Sequence, residues 1–155
     1  MTVFTKTHEV RWADIDANQH LRHSAYADLC THTRFEWLNA CGFPAGEFVR
    51  HGFGPVLFSE QTIYRKEVHL GDRVEINVEL AGASEDFSRW KLRQEIRKQD
   101  GTLAAIYEVS GAWLRLQDRK LIAPPEALMA ILQALPLSGD YQLIPTKTRT
   151  EESQA

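Results

Sequence analysis

Polar side chains of the types that carry out catalysis concentrate between residues 11 and 26. Six of them follow one another closely: Asp14, Asp16, Asn18, His20, Arg22 and His23. A carboxylate next to a carbonyl carbon can attack that carbon or activate a water molecule against it. N–H groups at the start of a following helix can stabilise the charge that develops on oxygen. The segment therefore suits acyl transfer, although a structural loop rich in turn-forming Asp and Asn has the same composition.

This polar segment needs flanking elements to hold it in place. Residues 7–15 favour a strand before it. Residues 24–40 carry apolar side chains at three- and four-residue intervals, which predicts a long helix after it. Ser24 is of the type that caps a first turn, and Gly42 followed by Pro44 ends a helix. The carboxylates are therefore expected just before a helix N-terminus.

The middle of the chain changes to two-residue alternation, which is typical of strands. Four runs are separated by turn signals: 56–70, 73–80, 87–98 and 103–116. Their short links favour antiparallel pairing, because parallel strands need long crossovers. A short helix over residues 123–135 follows. The sheet must cover its apolar face, and the long helix is available to do so, which makes the fold class α+β.

Length and composition limit the classes of protein. We expect one domain over residues 1–145 and a polar, flexible tail over 146–155. A net charge of −3 with scattered basic residues argues against a nucleic-acid partner. No apolar run suits a membrane span, and the first residues do not resemble a secretory signal, so a cytoplasmic location is expected. Cys30 and Cys41 match no metal or redox spacing and are expected to pack as small apolar side chains.

Two segments resemble a known family. Residues 14–26 (DIDANQHLRHSAY), with Asp16 followed by Tyr26 ten residues later, resemble the hot-dog-fold thioesterases of the 4-hydroxybenzoyl-CoA thioesterase group. Residues 64–72 (YRKEVHLGD) resemble the second strand of that family and its Gly-Asp turn. The resemblance implies a hot-dog fold, in which an antiparallel sheet of about five strands wraps around one long central helix. It also implies hydrolysis of an acyl-CoA or aryl-CoA.

The resemblance assigns roles to individual residues. Asp16 is expected to be the catalytic carboxylate. The backbone N–H of His23 is expected to polarise the thioester oxygen, with the His23 side chain beside the carboxylate. Tyr26 is expected to pack behind the site. Relatives of this type need no metal, although Asp14, Asp16, His20 and His23 are of metal-ligating types, so no metal or cofactor is expected besides the CoA of the substrate.

Further side chains are expected to contact the substrate: Asn18, His20, Glu60, Arg65 and Arg89. The two arginines belong to a group of basic strand residues that could meet the phosphates of CoA or simply form a solvated sheet face. Glu60 lies on the first strand of the meander, where related folds place a polar residue across a dimer interface, or else it faces solvent. We expect a homodimer at least, with a tetramer as the next assembly.

Two alternatives remain from the sequence. Asn18 and His20 resemble the Asp-x-Asn-x-His run of acyl-carrier-protein thioesterases, so the substrate could be a carrier-protein thioester. The residues before the helix differ from the pattern of many relatives, which leaves a non-catalytic acyl-binding protein open. Trp37, Trp90 and Trp113 could line an acyl pocket or pack between sheet and helix.

Overall fold

Seven strands and three helices make up the computed structural model, which describes residues 3–146. Their bounds are β1 Thr5–Glu9, α1 His23–Ala40, α2 Ala45–His51, β2 Phe53–Tyr64, β3 Arg73–Asn77, β4 Glu79–Ala83, β5 Arg89–Lys98, β6 Leu103–Arg115, α3 Glu126–Gln133 and β7 Leu137–Leu143. A 3₁₀ turn, Trp12–Asp14, lies between β1 and α1. Apart from its first residue, the predicted tail over 146–155 lies outside the described residues, and the domain boundary at residue 145 stays a prediction.

The strands form one sheet around β5. On one side β5 pairs with β6, and β6 pairs with β2. On the other side it pairs with β3 along one half and with β4 along the other, and β1 and β7 lie outside these two strands. Every pairing is antiparallel except that of β4 with β7, which is parallel. The predicted α+β class and antiparallel sheet are confirmed, with seven strands in place of about five.

Several predicted boundaries were wrong for identifiable reasons. The run over 56–70 is a strand only as far as Tyr64, because the N–H groups of Arg65 and Lys66 both turn to the carbonyl of Ala104. The run over 73–80 is interrupted at Val78, where pairing with β5 passes from β3 to β4. The strand expected over 7–15 is replaced after Glu9 by the 3₁₀ turn. Helix α2 was not predicted because seven residues make only about two turns, and strand β7 was not predicted because its sequence (LSGDYQL) does not alternate between apolar and polar residues.

The core lies between α1 and the inner face of the sheet. Cys30 is fully buried there, and burial raises the pKa of its thiol to about 12. Gln94 is buried opposite on β5, where its amide donates to the Cys30 carbonyl (3.2 Å) and accepts from the Arg34 guanidinium (2.9 Å). Cys41, in contrast, is exposed at the end of α1, so the expectation that it packs in the interior was wrong. Among the helices of residues 3–146, none is long and apolar enough to cross a membrane.

His8 links β1 to α1 and makes stability dependent on pH. Its Nε2 lies 2.8 Å from the Thr33 hydroxyl, which itself donates to the Leu29 carbonyl, so the imidazole is the donor in this pair. Burial, with further contributions from His32 and Lys6, lowers the pKa of His8 below 6.5. The unfolded chain therefore binds a proton more readily than the folded chain, and stability falls as the pH falls below about 6.5.

We expect the melting temperature to decrease from neutral to mildly acidic pH, and the change His8→Asn to reduce this slope. Asn keeps a donor for Thr33 but does not titrate in this range. Differential scanning calorimetry of both proteins between pH 8 and pH 5 measures the slope (roughly the range in which a His can titrate). An unchanged slope in the variant would show that another group controls the pH dependence.

Candidate active site

The loop before α1 is closed by its own backbone hydrogen bonds. Ile15 and Leu21 face each other as an isolated antiparallel bridge. Within this bridge the Asp16 N–H donates to the His20 carbonyl (2.9 Å), and the Gln19 N–H donates to the Asp16 carbonyl (3.0 Å). Gln19 adopts a positive φ of 62°, which allows the chain to reverse. The position of Asp16 is thus set by the backbone of a tight loop.

Asp14 anchors this loop to the preceding turn. Its buried carboxylate accepts the N–H of Arg11 and two bonds from the Arg11 guanidinium, all at 3.0 Å. The Asp14 carbonyl accepts the N–H of Arg22 (2.8 Å). The hydrogen bonds from Arg11 hold the pKa of Asp14 below its usual value, so it stays ionised. Asp14 therefore positions the chain on both sides of Asp16.

The two oxygens of the Asp16 carboxylate have different surroundings. Oδ1 accepts the backbone N–H groups of Asn18 (2.9 Å) and His20 (3.2 Å). Oδ2 has no hydrogen-bond partner within residues 3–146, and the side chain is exposed to solvent. One oxygen thus fixes the carboxylate while the other is free to act as a base or as a nucleophile.

Helix α1 begins next to this carboxylate with unsatisfied donors. Arg22 occupies the N-cap position, and its side chain does not cap the backbone N–H groups of the first turn. Ser24, which was expected to cap the first turn, lies inside it because the helix begins at His23, and its hydroxyl accepts the Arg22 guanidinium (2.8 Å). In the part of the chain that the structure describes, the N–H groups of His23 and Ser24 have no acceptor. Such groups, at the positive end of the helix dipole, suit a carbonyl oxygen that gains negative charge.

An open cleft of about 370 Å³ lies beside the helix start. It is lined by Asp16, His20, Leu21, His23, Tyr26, Tyr64, Arg65, Lys66 and Glu67. Five of the eight side chains predicted for the site therefore meet here: Asp16, His20, His23, Tyr26 and Arg65. The residues from 64 to 67 reach the cleft because β2 ends at Tyr64 and the chain then turns toward the loop.

Tyr26 forms the wall behind the carboxylate. Its side chain is buried and packs edge-on against Tyr64, with ring centroids 5.1 Å apart. Burial, Tyr64 and the charge of Asp16 raise the pKa of Tyr26 to about 12. Its hydroxyl therefore remains protonated at neutral pH, so Tyr26 serves as a wall rather than a base.

Three predicted residues lie outside this cleft. Asn18 contributes its backbone N–H to Asp16 rather than a side chain to the lining. Glu60 lies on β2, where its carboxylate accepts the Tyr107 hydroxyl. Arg89 begins β5 opposite Ala112, whereas the cleft adjoins the other end of β6, a separation of roughly 20 Å at ~3.3 Å per residue. Within one chain, Glu60 and Arg89 do not join Asp16.

Glu60 belongs to a polar cluster of its own. The Cζ atom of Arg34 lies over the Tyr107 ring, 5.6 Å from the ring centroid. Burial and the hydrogen bond to Glu60 raise the pKa of the Tyr107 hydroxyl. Arg34 is held in place by Gln94. The cluster lies between β2 and the middle of α1.

An apolar cavity of about 330 Å³ opens further along α1. Its lining includes all three tryptophans that the sequence left open between packing and pocket: Trp37, Trp90 and Trp113. The indole N–H groups of Trp90 and Trp113 are buried without an acceptor among the described residues. Phe48 of the unpredicted helix α2 closes one side. Well-packed interiors rarely contain a void of this size, so the cavity is a candidate ligand pocket.

The chain matches the model of a family described as thioesterase-like superfamily over residues 10–132. A search of the curated proteins finds no match.

Solved structures show the same arrangement of strands and helices. A hypothetical protein from Staphylococcus aureus, characterised in complex with CoA, has 25% sequence identity and a TM-score of 0.79, over 99% of this chain and 93% of that chain. A 1,4-dihydroxy-2-naphthoyl-CoA thioesterase from Synechocystis has 21% identity and a TM-score of 0.78, over 86% of this chain and 98% of that one. A DHNA-CoA thioesterase from Staphylococcus aureus has 20% identity and a TM-score of 0.71, over 79% and 81%. The hot-dog fold expected from residues 14–26 is confirmed.

Proposed function

This chain belongs to the thioesterase-like superfamily and is by family a thioester hydrolase, and we propose that it hydrolyses an acyl-CoA or aryl-CoA to the free acid and CoA. One observation carries the proposal. The free oxygen of Asp16 and the free N–H groups at the start of α1 adjoin one cleft. A carboxylate that acts as base or nucleophile, together with an oxyanion donor, is sufficient for thioester hydrolysis.

In the proposed reaction the thioester oxygen accepts the N–H groups of His23 and Ser24. Asp16 takes a proton from water, whose oxygen bonds to the carbonyl carbon, or it attacks that carbon itself and water then releases the acyl group. The C–S bond breaks, and the thiolate of CoA receives the proton. The chemistry needs no metal or cofactor besides the CoA of the substrate. Since Asp16 supplies the only charged protein group in this reaction, loss of its charge is the most direct perturbation.

The rim of the cleft is suited to the anionic part of CoA. Arg65 and Lys66 are exposed there, and their backbone N–H groups are tied to Ala104, so the side chains start from fixed positions. Guanidinium and ammonium groups are the usual partners of phosphate. We assign His20 to the same rim and Tyr26 to the wall against which the thioester lies.

The apolar cavity is proposed to receive the acyl group. It lies along α1, and its first lining residue on that helix, Thr31, is roughly 12 Å from His23 at ~1.5 Å per residue. An acetyl group cannot extend that far from a thioester at His23, whereas a chain of medium length can. Burial of each additional methylene is worth ~0.8 kcal/mol, so turnover should rise with chain length until the cavity is filled.

A homodimer is proposed across β2. This twelve-residue strand pairs with β6 on one side and with no other strand among residues 3–146. It exposes Leu57, Phe58, Ile63 and Tyr64. A long apolar edge strand is usually covered by another chain. A second copy paired along β2 would also bring a second Glu60, which lies on this strand, to the interface. Sedimentation equilibrium should give at least twice the 17.7 kDa of one chain.

The test is a panel of thioesters that differ only in the acyl group: acetyl-, hexanoyl-, dodecanoyl-, palmitoyl- and benzoyl-CoA. Released CoA is measured with a thiol reagent. We expect kcat/KM to rise from acetyl to the longer chains, by roughly tenfold for every two methylenes that become buried. Acylated carrier protein is included, because faster turnover of that substrate would favour the carrier-protein alternative. Binding of acyl-CoA in a calorimeter without release of thiol would favour the non-catalytic alternative.

A cytoplasmic location remains a prediction from the sequence.

A further inference from the structure

Two imidazoles and a carboxylate converge at the edge of the cleft. The Nε2 of His20 lies 3.4 Å from Oε2 of Glu67, and the Nε2 of His69 lies 3.7 Å from the same oxygen. One ligand atom from each of the three side chains lies within 4.8 Å of the others. Within residues 3–146 this is the one such group of three. The residues Asp14, Asp16 and His23, which are also of metal-ligating types, do not belong to it.

The backbone holds the three side chains together. His20 and His69 are directly opposite in an isolated antiparallel bridge, so their side chains leave the same face, and their rings meet edge-on with centroids 5.0 Å apart. The adjacent Leu21 N–H donates to the carbonyl of the fully buried Val68 (2.7 Å), which fixes the two segments against each other. Glu67 is two residues from His69, a spacing that returns to the same face of an extended chain. The convergence therefore follows from main-chain pairing.

The distances suit a tetrahedral ion. Nitrogen and oxygen ligands 2.0–2.2 Å from Zn²⁺ are about 3.4 Å apart in a tetrahedron, close to the separations of both imidazoles from Glu67. A carboxylate also stands behind one imidazole, since Asp72 Oδ2 lies 3.8 Å from Nδ1 of His69. Asp72 is held by the His69 backbone N–H (2.9 Å). A carboxylate that accepts the second ring N–H orients a histidine for metal binding through the first nitrogen, and at 3.8 Å Asp72 lies just outside hydrogen-bond distance of Nδ1.

We propose that His20, Glu67 and His69 form a binding site for a divalent transition-metal ion, with Zn²⁺ as the preferred occupant. Two imidazoles and one carboxylate are a recognised zinc ligand set that leaves a fourth position for water or an anion. Imidazole ligands select transition metals over Mg²⁺ and Ca²⁺, which prefer oxygen. The three side chains are solvent-accessible, so an ion can enter directly. The sequence alone had predicted no metal site.

The site adjoins the catalytic loop without supplying its chemistry. His20 donates its N–H to Asp16 Oδ1 and accepts the Asp16 N–H at its carbonyl. A metal ion on the His20 imidazole would restrain the loop that carries Asp16 and would add positive charge beside Arg65 and Lys66. The proposal does not depend on thioester hydrolysis, because its measurement is binding.

The experiment is calorimetric titration of the full chain, free of affinity tags and stripped with chelator, with Zn²⁺ alone. We expect a one-to-one isotherm. Glu67→Gln and His69→Ala should each weaken binding by roughly tenfold or more, because each removes a ligand. His32→Ala is the matched control: His32 is an exposed histidine paired with one carboxylate, Glu36, at 3.6 Å and with no third ligand. The affinity of His32→Ala for Zn²⁺ should equal that of the wild type.

A second readout separates ligation from nonspecific binding. Co²⁺ placed in the site should give the visible absorption of a nitrogen- and oxygen-ligated ion, and this absorption should disappear in His69→Ala but not in His32→Ala. Circular dichroism of each variant checks that the fold is kept. Absence of Zn²⁺ binding in the wild type would overturn the proposal, and so would binding that His69→Ala and Glu67→Gln leave unchanged.

Discussion

Replacement of Asp16 by asparagine is expected to lower kcat by about 10²–10⁴-fold with little change in KM. The amide oxygen of Asn can still accept the N–H groups of Asn18 and His20, so the loop should keep its shape. It has no charge with which to take a proton from water or attack the thioester. The measurement is steady-state thiol release with the best acyl-CoA of the panel, together with the melting temperature.

The matched control for this variant is Asp28→Asn. Asp28 is an exposed carboxylate on α1, 3.9 Å from the Arg22 guanidinium, and it does not line the cleft. The same chemical change there should leave kcat within about twofold, since surface substitutions away from a site have small effects. Equal activity of Asp16→Asn and wild type would contradict the assignment of Asp16. If the wild type and Asp16→Asn both bound acyl-CoA without releasing CoA, the non-catalytic alternative would replace hydrolysis.

Replacement of Gly111 by alanine is expected to destabilise the fold by about 3 kcal/mol. A Cβ at this position would overlap the Val56 carbonyl oxygen on β2 and would lie 2.8 Å from a ring carbon of Trp90. Neither neighbour can move freely, because Val56 is paired in register with Ala112 and Trp90 is 3% exposed. Thermal unfolding should show a decrease in melting temperature of roughly 6–12 °C for a chain of this length.

Gly139→Ala provides the comparison within the same sheet. Gly139 lies in β7, has an ordinary φ, and a Cβ there would meet no atom within 4 Å. Its replacement should change stability by about 0.5 kcal/mol or less. Similar losses in both variants would show that the close approach of β2 and Trp90 is not the reason why position 111 requires glycine. Because Trp90 lines the apolar cavity, Gly111→Ala should also lower turnover of long acyl chains more than that of short ones.

The features that the sequence alone determined are local. Helix α1 covers His23–Ala40, so it begins one residue before the predicted start and ends at the predicted end. The prediction succeeded because eighteen residues contain enough turns to show the helical period. Only six residues separate Asp16 from the first residue of α1, so the sequence could predict that Asp16 lies beside the helix start. The hairpin of β5 and β6 followed from alternation on both sides of residues 100 and 101. In each case the contacting residues are near one another along the chain, so spacing is sufficient evidence.

Contacts between distant segments were decided by the tertiary structure. Alternation shows which side chains share a face of a strand, but it does not show which strand lies opposite or in what register. The pairing of His20 with His69, the separation of Arg89 from the cleft and the parallel partner of β7 all depend on register and packing across the sheet. The apolar cavity depends in addition on α2, a helix too short to be read from its period. The sequence thus determined the loop that carries Asp16 and the class of fold, whereas only packing decided which distant side chains surround that loop.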